Sequence, residues 1–341
     1  MKKITSKRFV IPIIICVALI LGVGYFYLFS SIAKGGKTQY LYVDKDDNID
    51  SVYEKLDSIT TSSGMAAFSM LARHSDYAGN IIPGRYALES GMGALRFLRN
   101  LKKGAETPLH LTIPSVRTMD KMAEVLGKKL LIDSLELQKA FSDPATCSRY
   151  GLDTLTIGCL FIPNTYDVYW TITSKELLDR MQKESRAFWN DSRQQKADAL
   201  EMTHEQIITL ASIIDEETSN NAEKPMIAQM YLNRLAKDMP LQADPTVKFA
   251  LKQFELKRIY HEHLSVNSPF NTYRNKGLPP GPIRIPTVAG IDAVLNHASH
   301  DYLYMCAKED FSGTHNFAKT YDEHLQNAKK YADALNKRGI K

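Results

Sequence analysis

Three consecutive acids, Asp215, Glu216 and Glu217, close the apolar run Leu210-Ala-Ser-Ile-Ile and are followed by Thr218-Ser-Asn-Asn221. A carboxyl group that keeps its proton near neutrality can hand it to a bridging oxygen as a bond breaks, and this cluster has the types and spacing for that chemistry. The C-terminus of a helix is the negative end of its dipole, where each anion costs roughly 0.3–1 kcal/mol. That field, neighbouring carboxylates and burial all raise a carboxyl pKa towards the value of about 6 that suits a glycosidase-type general acid. A solvated acidic turn between two helices would carry the same residues, so the cluster alone leaves both readings open.

The elements that must position these acids are legible around them. Thr203-His-Glu-Gln206 has the form of a capping box and starts a helix at about Thr203. Ile207, Leu210, Ala211 and Ile214 follow as the buried stripe of an amphipathic helix, and a second helix is predicted from about Glu223 to Leu235. Beyond it, Pro240-Leu-Gln-Ala-Asp-Pro-Thr-Val247, Ser268-Pro-Phe-Asn-Thr-Tyr273 and Gly277-Leu-Pro-Pro-Gly-Pro-Ile283 read as turn-dense loops, with a polar helix rich in Lys and His after the first. They present Gln242, Asp244, Asn271, Thr272 and Tyr273, and their prolines restrict them before a ligand arrives. Gly158-Cys-Leu-Phe-Ile-Pro-Asn-Thr-Tyr166 gathers aromatic, amide and hydroxyl groups of the kind that sugars need, although a loop with a buried Tyr166 reads equally well. The histidine pairs His261/His263 and His297/His300 lack a carboxylate at ligand spacing, so neither a metal nor any other cofactor is expected.

The rest of the chain sets the frame. Its 341 residues, 44% hydrophobic, suffice for two domains. Residues 9–30 carry no charge and are long enough to span a bilayer as a signal anchor, with Pro12 near the start and Lys2, Lys3, Lys7 and Arg8 keeping tail 1–8 in the cytoplasm. Six basic residues precede the first acid, Asp44, so the remainder is balanced to within one charge, which argues against a nucleic-acid binder. Cys147, Cys159 and Cys306 lie beyond the span and allow one disulfide or none. After a linker at 31–39, strands at 40–43, 84–88 and 109–113 alternate with helices at 48–58, 65–74 and 92–102, making 40–115 a small α/β module. Residues 116–341 then read as a mixed α+β domain: a helix over 118–131, a largely helical stretch to 188, a helix over 287–297, strands near 302–306 and 314–317, and a closing helix over 321–337. The fold class is α+β.

Six motifs occur in order: Ala211-Ser-Ile-Ile-Asp-Glu-Glu-Thr218, Tyr231-Leu-Asn-Arg-Leu235, Leu241-Gln-Ala-Asp-Pro-Thr-Val247, Asn271-Thr-Tyr273, Gly277-Leu-Pro-Pro-Gly-Pro-Ile283 and Thr314-His-Asn-Phe317. Together they resemble the endolytic murein transglycosylases, the MltG or YceG-like family, from about residue 80 to the C-terminus. The 40–115 module is similar to LysM-like glycan-binding modules. The resemblance implies a single-pass inner-membrane enzyme with a periplasmic catalytic domain. It would cut the β-1,4 bond between N-acetylmuramic acid and N-acetylglucosamine within nascent peptidoglycan strands, leaving anhydro-muramic ends and limiting strand elongation. The family's catalytic Glu falls on Glu217. The first acid of its motif falls on Asp215, one methylene shorter than the usual Glu. Substrate-binding roles are expected for Gln242, Asp244, Asn271, Tyr273, Tyr166 and Asn233. Asn164, an added Ile162, Ile285 and Thr287 depart from the family pattern, which bears on the shape of the groove. The expected partners are glycan strands, the inner membrane and peptidoglycan synthases. Two other functions compete: an anchored, non-catalytic peptidoglycan-binding or assembly factor, and a muramidase that uses water.

Overall fold

The computed structural model describes residues 5–338 apart from Lys257. It is a helix-rich α+β structure, with three two-stranded sheets among the described residues. Contacts divide the chain into two units. One comprises the residues up to Leu111 with Lys129–Leu131 and Tyr166–Ile172, and the other comprises the rest.

In the first unit, α1 (Thr5–Phe29) contains Pro12. Among the described residues no helix is both long and apolar enough to cross a membrane. Residues 1–4 of the expected basic tail, and the side chains at positions 5–10, 20, 23, 26 and 27, lie outside the described residues. The strand β1 (Gln39–Val43) is followed by α2 (Ile49–Asp57), α3 (Ser62–Arg73), β2 (Gly84–Leu88) and α4 (Ala94–Lys103). Asn48 caps α2 through the amides of Asp50 and Ser51, and Thr61 caps α3 through that of Gly64. The strands pair antiparallel, with Gln39 opposite Leu88 and Val43 opposite Gly84. Alternation along β1 turns Leu41 and Val43 into a core with Val52, Leu56, Phe68 and Phe97, and leaves Tyr40 and Tyr42 outside. The strand β3 (Leu109–Thr112) lies beside β4 (Thr165–Val168) in a second sheet.

The second unit carries the acidic cluster. It contains α5 (Met119–Gly127), α6 (Ser134–Ser142), α7 (Pro144–Ser148), α8 (Ser174–Phe188) and α9 (Asp191–Ala199), then α10 (His204–Glu217) and α11 (Lys224–Ala236). Next come α12 (Asp244–Leu251), α13 (His261–Leu264), α14 (Val288–Leu295), the antiparallel pair β5 (Tyr304–Ala307) and β6 (His315–Ala318), and α15 (Tyr321–Lys337). The core is built on α10, against which α11, α12 and α14 pack. Ile207 to Asp215 are all buried, so α10 runs through the interior and is not the one-sided amphipathic helix its stripe predicts. Burying each large aliphatic side chain there contributes about 1.5–3 kcal/mol.

Three other expectations need correcting. The helix predicted to reach Leu131 stops at Gly127, where a Cβ would lie 2.7 Å from the Ser134 amide nitrogen, so that close approach requires glycine. The stretch 158–166 is not wholly loop: it holds a single 3₁₀ turn at Ile157–Leu160 and the start of β4. Asp244 sits at the start of α12 and not in a loop, because Pro245 falls at the head of the helix, where its missing N–H costs nothing.

Candidate active site

The three acids share one helical turn, and each meets a different environment. Asp215 is buried and ion-paired to Lys224 at 2.7 Å, with 2% and 5% of the two side chains exposed. Its other contacts come from the start of α14: the Thr287 amide donates at 2.5 Å and the Thr287 hydroxyl at 3.2 Å. A Cβ at Gly290 would stand 2.6 Å from Asp215 Oδ1, so the carboxylate fills the space that glycine leaves. Asp215 therefore ties the end of α10 to the heads of α11 and α14.

Glu216 turns to another side. Arg117 donates to it through Nε at 2.8 Å and Nη2 at 3.0 Å, the planar two-point match of guanidinium to carboxylate, and Arg284 adds a bond at 3.0 Å.

Glu217, the last residue of α10, faces a cavity of about 380 Å³. The Tyr231 hydroxyl donates to its Oε1 at 2.7 Å, with Tyr231 itself buried on α11. Glu217 keeps part of its surface open to the cavity, yet protein surrounds the carboxyl closely. Burial is the main influence on its pKa and Asp244 adds to the rise; Tyr231, His315 and Lys248 oppose it, and the result is about 7. The carboxyl is thus poised to give up a proton and to take one back near neutral pH. Tyr231 is pushed well above its ordinary value by burial and by Glu217, so it stays a hydroxyl donor.

Around the carboxyl, the structure brings together Gln242, Asp244 and Tyr273 from the expected set. Tyr273 donates to Asp244 Oδ1 at 2.5 Å, and burial followed by that bond raises its own pKa. Gln242 has φ +52°, a left-handed conformation that costs a non-glycine residue roughly 1 kcal/mol or more. Its amide bonds to Thr272 O at 3.1 Å and its side-chain oxygen accepts from Arg234 at 3.2 Å, which holds it there. Arg234 is buried and also donates to Leu303 O and Leu241 O, joining α11 to both walls of the cavity.

The other three expected binding residues do not line this cavity. Asn271 is fully buried, its amide spent on Leu264 O and Val266 O at 2.9 Å each, while its side-chain oxygen accepts from the Tyr273 amide. It shapes the loop that delivers Tyr273. Asn233 donates to His300 O and Tyr302 O and fixes the chain leading into β5. Tyr166 is buried within the first unit.

Sequence reasoning missed Tyr231, Arg234 and His315, although all lie inside motifs it singled out. His315 lines the cavity and is gripped by Glu223, which accepts from its backbone N–H at 2.6 Å and contacts ring Nδ1 at 3.0 Å. Tyr304, Tyr321 and His324 complete one wall. Among the described residues no group of three or more His, Cys, Asp or Glu side chains could hold a metal ion, and all four cysteines are free thiols.

The chain is similar to known proteins. Residues 41–330 match the YceG-like family. The chain is 28% identical to an endolytic murein transglycosylase of Bacillus subtilis (strain 168), across 94% of this chain and 93% of that protein. It is 25% identical to an endolytic murein transglycosylase of Streptococcus pneumoniae (strain D39), covering 96% of this chain and 66% of that longer protein. A crystal structure of a yceG-like protein from Listeria monocytogenes is similar with a TM-score of 0.56 at 26% identity, over 85% of this chain and 98% of that one. The chain belongs to the YceG-like family.

Proposed function

We propose that the protein is an endolytic lytic transglycosylase that cleaves the β-1,4 bond between N-acetylmuramic acid and N-acetylglucosamine within peptidoglycan strands. The observation that carries this reading is Glu217: one carboxyl at a cavity, raised to about 7, beside two acids that are fully neutralised elsewhere. The names of the Bacillus and Streptococcus relatives support the same substrate.

Protonated Glu217 gives its proton to the glycosidic oxygen as the bond breaks through an oxocarbenium-like state. Most glycosidases need a second carboxylate to supply a nucleophile or to activate water. Here the primary hydroxyl of the muramic acid ring attacks its own anomeric carbon, and tethering replaces a second reactant. Glu217, now ionised, takes the proton of that hydroxyl and returns to its starting state. Tyr231 holds Oε1, which leaves Oε2 to carry the proton. Gln242, Asp244 and Tyr273 bind the substrate at the cavity, and Asn271 acts through Tyr273.

Residues 9–30 anchor the chain in the inner membrane as a single span, with the basic tail inside and the catalytic unit in the periplasm; 22 consecutive uncharged residues support this. The β-α-α-β order of residues 39–88, closed by antiparallel pairing, supports reading 40–115 as a LysM-like glycan-binding module.

Digestion of uncrosslinked glycan strands by the full chain, with mass spectrometry of the product ends, tests the reaction. Anhydro-muramic ends are expected, and they should vanish in Glu217→Gln while the fold persists. Reducing ends would mean a muramidase that uses water, and strand binding without new ends would mean a non-catalytic wall protein.

A further inference from the structure

We propose that Tyr321, His324 and Tyr304 form a sugar-stacking subsite, an aromatic wall against which one pyranose ring of the strand lies while Glu217 acts on the neighbouring linkage. This rests on the reading of the cavity as a glycan site and adds to it the surface that grips the strand.

The sequence explains how the wall is made. Tyr321 opens α15 and His324 follows three residues later, so both project from one face of the helix. Tyr304 comes from β5, the neighbouring element. The ring centroids are 5.8 Å apart for Tyr304 and Tyr321, 5.4 Å for Tyr304 and His324, and 6.1 Å for Tyr321 and His324. All three line the same cavity as Glu217. The ring planes are inclined at 56°, 26° and 34° in the same order, so the three form a faceted cluster of which Tyr321 is the exposed member. The C–H-rich face of a hexose packs on an exposed aromatic ring, and its hydroxyls reach the polar groups at the edge.

Two observations favour ligand binding over plain packing. Tyr321 is 58% exposed and lines the cavity, so its ring is not part of the core. Tyr304 is held in place by the Arg234 guanidinium, which lies 5.4 Å from its ring centroid and is itself fixed by Leu303 O, Leu241 O and Gln242. That bracing lowers the ordering cost of binding. His324 lines the cavity with its Nδ1 enclosed by protein and without a hydrogen-bond partner among the described residues. Burial and the Arg234 charge favour the neutral imidazole, which can accept or donate according to its tautomer.

The test uses the full chain with uncrosslinked glycan strands. Steady-state cleavage is measured for the wild type, Tyr321→Ala and Tyr321→Phe, and strand binding is measured in a Glu217→Gln background. Tyr321→Ala should raise KM about tenfold with little change in kcat and weaken binding to the same degree. Tyr321→Phe keeps the ring and should restore both to within threefold. If the wild type makes anhydro ends and Tyr321→Ala has an unaltered KM, the subsite is wrong and the reaction stands. If strands bind, Tyr321→Ala weakens that binding and no ends are made, the subsite stands and the reaction fails. If the alanine and phenylalanine variants lose binding equally, the ring is not what the strand touches, and the subsite is overturned.

Discussion

Replacing Lys224 with methionine isolates what the first acid of the cluster does. The ammonium lies 2.7 Å from Asp215 with both side chains almost wholly enclosed. Methionine keeps the length and removes the charge, which strands a buried carboxylate. Breaking a buried pair from one side costs about 3–5 kcal/mol. Asp215 retains the amide and hydroxyl of Thr287, so the lower end of that range applies, about 3 kcal/mol. For a unit of this size, that lowers the melting temperature by on the order of 10 °C. Adding Asp215→Asn removes the stranded charge while keeping an acceptor for Thr287, and the double variant should regain most of the loss. The assay is thermal and urea unfolding of wild type, both single variants and the double, treated as a double-mutant cycle. A Lys224→Met protein within about 1 kcal/mol of wild type, or a double variant no more stable than that single one, would refute the reasoning.

Two further predictions concern the third acid. A carboxyl raised in the folded state binds its proton more tightly there than in the unfolded chain. Glu217 therefore favours folding below its ordinary 4.5, and this support is lost as pH climbs through about 7. Glu217→Gln should match wild type in stability at pH 4 and exceed it above pH 7, by on the order of 2–3 kcal/mol, as denaturant titrations at the two pH values would show. A variant less stable at both would contradict the burial argument. Tyr231→Phe removes the hydrogen bond that does most to hold the Glu217 pKa down. Its pH–rate profile should lose activity at a higher pH than wild type does, and an unchanged alkaline limb would show that the bond does not tune the acid.

Much of this was visible in the sequence, and its limits have physical reasons. The capping box at Thr203 and the polar stop at Thr218 located α10, so Glu217 could be placed at a helix end. Local pattern could not tell the three acids apart. Their fates depend on Lys224, Arg117, Arg284 and Thr287, which reach them from up to a hundred residues away. Asn233 and Asn271 were expected to bind substrate from their places in the motifs, but a side-chain amide serves a backbone carbonyl equally well, and here both are spent that way. The proline that made Asp244 look like loop is the residue that starts α12. The aromatic wall went unread because Tyr304, Tyr321 and His324 meet only through the packing of α15 on β5.

The account turns on Glu217 holding its proton up to about neutral pH. Infrared difference spectra across a pH titration, wild type minus Glu217→Gln, isolate the carboxyl band of that one side chain. The band should fade with a midpoint of about 7, along with the cleavage of glycan strands. A midpoint near 4.5, with cleavage persisting well above it, would mean that Glu217 is ionised when the enzyme works and that some other group supplies the proton.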